Sequence, residues 1–356
     1  MPLDDPFATV LLLDVLREAG AQEQIAALLA RDLAAHIPLD EPLAVSGLLD
    51  SLREAGAQKQ LATLATRVAA HAPLDNTRSV AVLLDGLRRV GAQEQVSVLL
   101  ARDPAAHALL DNTRSVATLL DSLRRVGAQE QISVLLARDP AAHVALDSPH
   151  LVATLLDSLQ GVGAQEQVTA VATRAAAHAP LDNPNSVAIL LDSLREVGAQ
   201  EQVTALATRA AAHAPLDNPN SVGMLLDSLR EVGAQEQVSV LLARDPAAHA
   251  PLDTQNSVAT LLDSLRRVGA QEQIAALLAR DPAAHAPLKT QNSVAMLLDS
   301  LRSAGAQEQI AALVERLPAA GRFDHFIEFG GNREQFRLGR EPDGSVAPSW
   351  TWDELE

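Results

Sequence analysis

NSVAILLDSLREVGAQEQVTALATRAAAH, residues 185–213, holds two apolar runs with a glycine between them. Val187, Leu190, Leu191, Leu194 and Val197 recur at i, i+3, i+4, i+7 and i+10, which is one face of an α-helix. Asp192, Ser193, Arg195 and Glu196 fall on the other side. Upstream, Asn183 followed by Pro184 reads as a helix start, with the cap residue first and proline at the first helical position. Gly198 sits where a left-handed C-terminal cap favours glycine. Beyond it, Val203, Leu206, Ala207 and Ala210 make a second stripe. The stretch predicts a helical hairpin.

The hairpin is repeated. GAQEQ begins at Gly20, Gly91, Gly127, Gly163, Gly198, Gly233, Gly269 and Gly305, with GAQKQ at Gly56. Successive glycines are 35 or 36 residues apart. Self-similarity at that period predicts an all-α solenoid, in which each unit buries its apolar face against its neighbours. Nine units fill residues 2–321. Residues 322–356 hold an aromatic-rich segment predicted to cap the array as a short helix, FDHFIEF, plus an extended piece turning at Pro342-Asp343-Gly344.

The extra residue of the 36-residue units lies between the glycine and the repeated histidine. That interval is 16 residues in units reading LLARDPAAH or LLARDLAAH, and 15 in units reading ATRVAAH or ATRAAAH. Proline removes a helical N–H and pushes the preceding residue out of the α region. The Asp-Pro units are therefore expected to break the second helix, with Asp103 capping a short turn begun by Pro104. The shorter units are expected to run through.

At this point the chain resembles the tetratricopeptide and pentatricopeptide repeat families. LLDGLRRVGAQEQVSVLL, residues 83–100, is similar to the pentatricopeptide pattern of a leucine-rich first helix, Asp-Gly-Leu, a turn glycine and a second helix starting with glutamate. The resemblance implies a right-handed superhelix of antiparallel helix pairs with a concave binding surface. Pentatricopeptide proteins read RNA with a small polar residue early in the first helix. The matching positions here are Ala81, Ala117, Ala153, Ala188, Gly223, Ala259 and Ala295, which offer no side-chain hydrogen bond to a base.

Composition narrows the partners. The formal charge is −17, and the chain has no cysteine. Acidity of that size repels phosphates unless the arginines segregate onto one face. Nucleic acid is therefore expected to be an unlikely partner. Disulfides, thiolate metal sites and a cysteine nucleophile are excluded outright. The opening MPLDDPF carries no basic segment, and no run approaches the ~20 apolar residues of a membrane span. A cytoplasmic location is expected, and the arginine bias suggests a bacterial source.

One histidine per unit closes each second helix. Neighbouring units stack ~10 Å apart, whereas zinc ligands lie within ~2.3 Å of one ion. Successive histidines cannot share a metal, and a structural role is expected. Asp14, Asp50, Asp85, Asp121, Asp157, Asp192, Asp227, Asp263 and Asp299 precede an arginine by three residues, except at Gln160. They read as a solvated ion-pair network. Thirteen residues before each glycine the side chain varies: Phe7, Leu43, Arg78, Arg114, His150, Asn185, Asn220, Asn256 and Asn292. This lane is the candidate partner-binding surface, with Phe336, Trp350 and Trp352 of the tail as further anchors.

No phosphate-binding, hydrolase or metalloprotease motif occurs, so no enzyme activity, metal or cofactor is expected. The sequence-based reading is a non-enzymatic scaffold that binds a protein or peptide on its first helices. Self-assembly, end to end through an uncapped N-terminal face or as a ring, is the alternative, with RNA binding behind both. Finally, Ala199 stands where a capping side chain normally sits. Gln200, Gln202 or their counterparts in the adjacent unit are expected to accept the free N–H groups of the second helix.

Overall fold

The computed structural model describes residues 6–31, 33–253, 255–288 and 290–330, apart from the side chains of Gln255 and Gln291. Every unit is a helical hairpin, and the chain is an α-solenoid. Each first helix has 13 residues, as in Thr77–Arg89, Thr113–Arg125 and Pro219–Glu231. Two compact units divide the array: residues 1–179 with 196–202, and residues 180–195 with 203–356. In the N-terminal unit the first helices Pro6–Glu18, Pro42–Glu54, Thr77–Arg89, Thr113–Arg125 and Pro149–Gly161 pack each on the next. In the C-terminal unit, Pro219–Glu231, Gln255–Arg267 and Gln291–Ser303 do the same.

The predicted stripes form the core. Val187, Leu190, Leu191, Leu194, Val197, Val203, Leu206, Ala207 and Ala210 are all buried. Truncating a fully buried leucine such as Leu84 costs about 2–5 kcal/mol.

Gly91 ends its helix as the sequence requires. Its φ is +76°, while a Cβ there would meet nothing within 4 Å, so backbone conformation alone demands glycine. The Ala92 N–H reaches back to the Leu87 carbonyl at 2.9 Å and the Gly91 N–H to Arg88 at 3.0 Å, a six-to-one and five-to-two closure of the helix end. At the helix start, Asn76, Asn112 and Asn218 accept the N–H of Ser79, Ser115 and Ser221, each satisfying one of the free N–H groups of the first turn.

Second helices behave as their lengths predict. Gln58–His71, Gln165–His178 and Gln200–His213 run through, whereas Gln93–Leu100 gives way to a separate short helix, Pro104–His107. The first repeat corrects the cause. It breaks into Gln22–Leu29 and Leu33–His36 although Leu33 stands where the others have proline. The inserted residue, not proline alone, interrupts the helix. In the Asp-Pro repeats that residue takes up a left-handed turn: Asp103, Asp139, Asp245 and Asp281 have φ of +52° to +56°, a conformation aspartate tolerates better than most side chains.

Asp103 does not cap the short helix, because its side chain makes no capping bond. The cap comes from the next repeat: Oε1 of Gln131, the last residue of GAQEQ, accepts the Ala105 N–H at 3.0 Å. Gln60, Gln167, Gln273 and Gln309 do the same for Ala34, Ala141, Ala247 and Ala283. Where the preceding helix runs through, the same glutamine donates to a threonine, as Gln202 does to Thr173 at 3.4 Å and Gln237 to Thr208 at 3.3 Å. The glutamine of the adjacent unit thus accepts at the short helix, and not at the alanine that opens the second helix. That helix starts on an uncapped alanine, and its first N–H bonds the glycine carbonyl, as Gln93 does to Gly91 at 3.0 Å.

A second crossing was not anticipated. In seven repeats the arginine eleven residues after the glycine reaches the C-terminal carbonyls of the preceding repeat's second helix. Arg102 bonds Ala69 O at 3.1 Å and Ala72 O at 2.8 Å; Arg244 bonds Ala211 O at 3.0 Å and Ala214 O at 2.6 Å. Arg67, Arg138, Arg174, Arg280 and Arg316 repeat it. These carbonyls are the ones a helix end leaves unpaired, so each repeat completes the one before it. FDHFIEF forms the short helix Phe323–Phe329, with the Arg302 guanidinium 4.5 Å over the Phe329 ring.

Candidate nucleic-acid interface on the first helices

Two kinds of surface are open to a ligand. Along the second helices, the breaks leave grooves with carboxylates at the mouth: Asp103 and Glu130 at one boundary, Asp245 and Glu272 at another. Along the first helices the outer stripe runs through positions thirteen, nine, six and two before the hairpin glycine. In the third repeat these are Arg78, Val82, Asp85 and Arg89, all exposed or half-buried.

The two surfaces differ in charge. The nine first helices carry thirteen arginines and thirteen carboxylates, so their formal charge is zero and the whole of the −17 lies elsewhere in the chain. Thr77–Arg89 and Thr113–Arg125 are the most basic, each with three arginines against one aspartate.

The structure places the candidate lane on the outer stripe. Phe7 and Leu43 are 60% and 68% exposed, and Arg78, Arg114, His150, Asn220, Asn256 and Asn292 are also exposed; Asn185 is half-buried. Phe7, Leu43, Arg78, Arg114 and His150 belong to the N-terminal unit and the four asparagines to the C-terminal unit. Phe336, Trp350 and Trp352 lie outside the described residues.

The aspartate ladder is wired differently from the expected i,i+3 pairs. Those pairs are loose, at 3.7 Å for Asp85–Arg88 and 3.8 Å for Asp121–Arg124. The close partners come from the next repeat: Asp50 meets Arg89 at 3.0 Å, Asp85 meets Arg125 at 2.9 Å, and Asp227 meets Arg267 at 2.5 Å. Ser122 and Ser264 add hydroxyl donors to Asp85 and Asp227. Arg89, Arg125 and Arg267 are thus tied to the scaffold. By contrast, Arg78 and Arg114 have no side-chain partner among the described residues, and occupy the same register on adjacent helices.

The ladder fails at the fifth repeat. Gln160 stands where every other repeat has arginine, Gly161 occupies the position of Arg89, Arg125 and Arg267, and the charge of Glu196 in the next repeat is felt at Asp157. Burial, then the charges of Glu196 and Asp121, push the Asp157 carboxyl above its ordinary value.

The lane nine residues before the glycine escaped the sequence reading. It comprises Leu11, Gly47, Val82, Thr118, Thr154, Ile189, Met224, Thr260 and Met296, and lies one helical turn from the candidate lane. These two lanes are the most varied positions of the first helix, whereas the leucines eight, seven and four before the glycine and the aspartate six before it nearly never change. At the position that the pentatricopeptide resemblance marks for base reading, Ala81, Ala117, Ala188 and Ala259 are at most 3% exposed and Gly223 is buried, whereas Ala153 and Ala295 are half-buried. The repeated histidines end their helices in solvent, with His107 Nδ1 2.9 Å from the Asp103 carbonyl oxygen. Among the described residues no cluster of His, Asp and Glu is placed to hold a metal ion, and no helix is long and apolar enough to cross a membrane.

Hairpins of this length, stacked first helix on first helix, define an all-α helical-hairpin repeat array. Among solved structures, the chain is similar to the pentatricopeptide repeat protein PPR10 from maize, with 17% identity over 92% of this chain and 49% of that one and a TM-score of 0.36. It is also similar to PPR10 in complex with an 18-nt psaJ RNA element, with 15% identity, 96% and 60% coverage and a TM-score of 0.31. A cysteine-substituted form bound to the same element gives the same figures. The chain spans about half to three-fifths of those proteins. No family model matches the chain, and no curated protein matches it.

These likenesses correct the partner expectation. Two of the three structures carry RNA, and the expectation of a protein- or peptide-binding scaffold, with self-assembly through an N-terminal face as the alternative and nucleic acid unlikely, is not carried further. Its physical error lies in treating −17 as a uniform property. The charge is carried by the second helices, the loops and the termini, while the first helices are neutral as a set.

Proposed function

We propose that the chain is a non-enzymatic, cytoplasmic protein that binds single-stranded RNA on the outer stripe of its first helices. The observation that carries the reading is the segregation of charge: a neutral first-helix set, with the exposed and unpaired Arg78 and Arg114 side by side, on an otherwise acidic molecule. A guanidinium gives paired donors to phosphate oxygens and a flat face for a base. Acidic grooves along the second helices repel the same backbone, so the strand is directed to one side. Variation concentrated in two adjacent lanes of an otherwise uniform array suits a ligand that differs from repeat to repeat, and helical repeats read single strands at one base each.

The test is fluorescence anisotropy with a labelled single-stranded RNA of mixed sequence, over a range of salt, for the full chain and for Arg78→Ser/Arg114→Ser. Each phosphate contact on a single strand contributes about −0.7 to the slope of log K against log salt. The double variant is expected to bind more weakly, with a slope shallower by about 1.4 for two lost contacts. Identical slopes and affinities for both proteins rule out these arginines as the phosphate grip.

A further inference from the structure

The outer stripe loses its charge balance at the fifth repeat. In the second and third repeats the aspartate six residues before the glycine is covered by an arginine of the following repeat, Asp50 by Arg89 and Asp85 by Arg125. The helix Pro149–Gly161 has no arginine, and its outer stripe reads His150, Thr154, Asp157 and Gly161. At the register from which Arg89 and Arg125 reach back, the fifth repeat has Gly161 and the sixth has Glu196. Asp121 keeps only a loose contact with Arg124 at 3.8 Å, and the charge felt at Asp157 from the next repeat is a second carboxylate. Asp157 and Glu196 are exposed and have no hydrogen-bond or ion-pair partner among the described residues. Both belong to the N-terminal unit, with Arg78 and Arg114.

The cations around this pair are engaged elsewhere. On Thr113–Arg125, Arg124 leans on Asp121, Arg125 is tied to Asp85, and Arg114 stands at the far end of the helix. On Gln165–His178, Arg174 is held by the Ala141 carbonyl, His178 ends the helix, and Glu166 is a further anion. In the sixth repeat, Arg195 turns to Asp192 at 4.0 Å.

We propose that Asp157 and Glu196 form a proton-operated gate on the RNA track: ionised, they stop a strand gripped by Arg78 and Arg114 at the fourth repeat; protonated, they let it run on over the fifth. The inference rests on the RNA-binding reading above. A strand on the outer stripe passes Asp85 as part of a neutral ion pair, but meets Asp157 as a bare charge in the same register. Carboxylate and phosphate repel within the screening length, ~8 Å at physiological salt. The approaching phosphate is a further negative charge beside the pair. It favours the protonated carboxyl in the same way as Glu196 and Asp121, which with burial already raise the Asp157 carboxyl above its ordinary value. Proton and strand therefore bind together, and the coupling is reciprocal: acid tightens RNA binding, and RNA draws protons onto the gate. His150, two turns away on the same stripe, also gains charge in acid; it is left in place in the variant below, so the comparison removes its share.

The experiment is fluorescence anisotropy with a labelled oligouridylate, whose bases take up no proton in mild acid, for the full chain and for Asp157→Asn/Glu196→Gln. Both side chains are exposed and unpaired, and a melting curve no lower than that of the full chain verifies that the variant is folded. At neutral pH the variant is expected to bind on the order of fivefold more tightly, the effect of removing two unit charges close to the phosphates. As pH falls towards the carboxylate range the full chain is expected to close that gap to less than about twofold, because its gate then carries the protons itself. Equal or weaker binding by the variant at neutral pH, or a gap of the same size in acid, overturns the gate and leaves RNA binding standing. Failure of both proteins to bind at either pH overturns RNA binding and the gate with it.

Discussion

Gln131 lies 26 residues after Ala105 and in the next repeat, yet its Oε1 accepts the Ala105 N–H at 3.0 Å. The bond explains why GAQEQ repeats so faithfully. Its glycine turns the chain, and its last residue closes the N-terminus of a short helix in the repeat before. Gln131→Ala is expected to cost about 1 kcal/mol, the usual value of a lost N-cap. Gln202→Ala, which removes only a 3.4 Å contact with an exposed threonine, is expected to change stability by less than about 0.5 kcal/mol. Urea melts of the two variants compare them, and equal losses contradict the capping role.

Arg102 supplies the matching closure at the other end. Its two guanidinium nitrogens hold the Ala69 and Ala72 carbonyls. Arg102→Ala is expected to destabilise by about 1–3 kcal/mol, since hydrogen bonds from a charged donor to buried-end carbonyls are lost. Arg102→Lys should recover less than half, because a point charge cannot span two carbonyls as a planar fork does. Chemical denaturation monitored by circular dichroism measures both.

Gly91→Ala tests the hairpin turn. Nothing crowds the position, so the penalty is purely that of a left-handed backbone, about 1–2 kcal/mol. A loss near zero means that the turn has rearranged.

Much of this fold is legible in the sequence because period and polarity repeat. The apolar stripes and the glycine φ follow from residues 185–213, and the 35–36-residue spacing from the nine repeated glycines. Two things were hidden. The crossing bonds of Gln131 and Arg102 join residues 26 to 33 apart, and no local pattern announces such pairs, although the invariant eleven-residue interval from glycine to arginine was a signal. The site was masked by averaging: a net charge of −17 says nothing about where the arginines stand, and Arg89 is tied to Asp50 while Arg78 has no side-chain partner among the described residues. The lane of Val82 and Met224 passed as ordinary helix surface until burial distinguished it from the leucines beside it.

Asp157 gives a pH prediction. Its raised pKa means that the folded state binds the proton more tightly than the unfolded chain, so ionisation of Asp157 disfavours folding. The penalty is absent in acid below the ordinary carboxylate range, grows as pH rises through the folded value, and persists at neutral pH. Asp157→Asn should therefore stabilise the protein at neutral pH and have no effect in strong acid. Thermal melts at two pH values check the sign, and destabilisation by the variant at neutral pH contradicts it.

The central claim is that single-stranded RNA lies on the first helices. Ultraviolet crosslinking of the full chain to a uridine-containing RNA, followed by mass-spectrometric mapping of the modified peptides, tests it most directly. Crosslinks are expected on residues 77–89 and 113–125 and their counterparts in the other first helices, and to disappear when excess unlabelled RNA competes. Crosslinks confined to the second helices, such as residues 93–100 and 129–137, contradict the account.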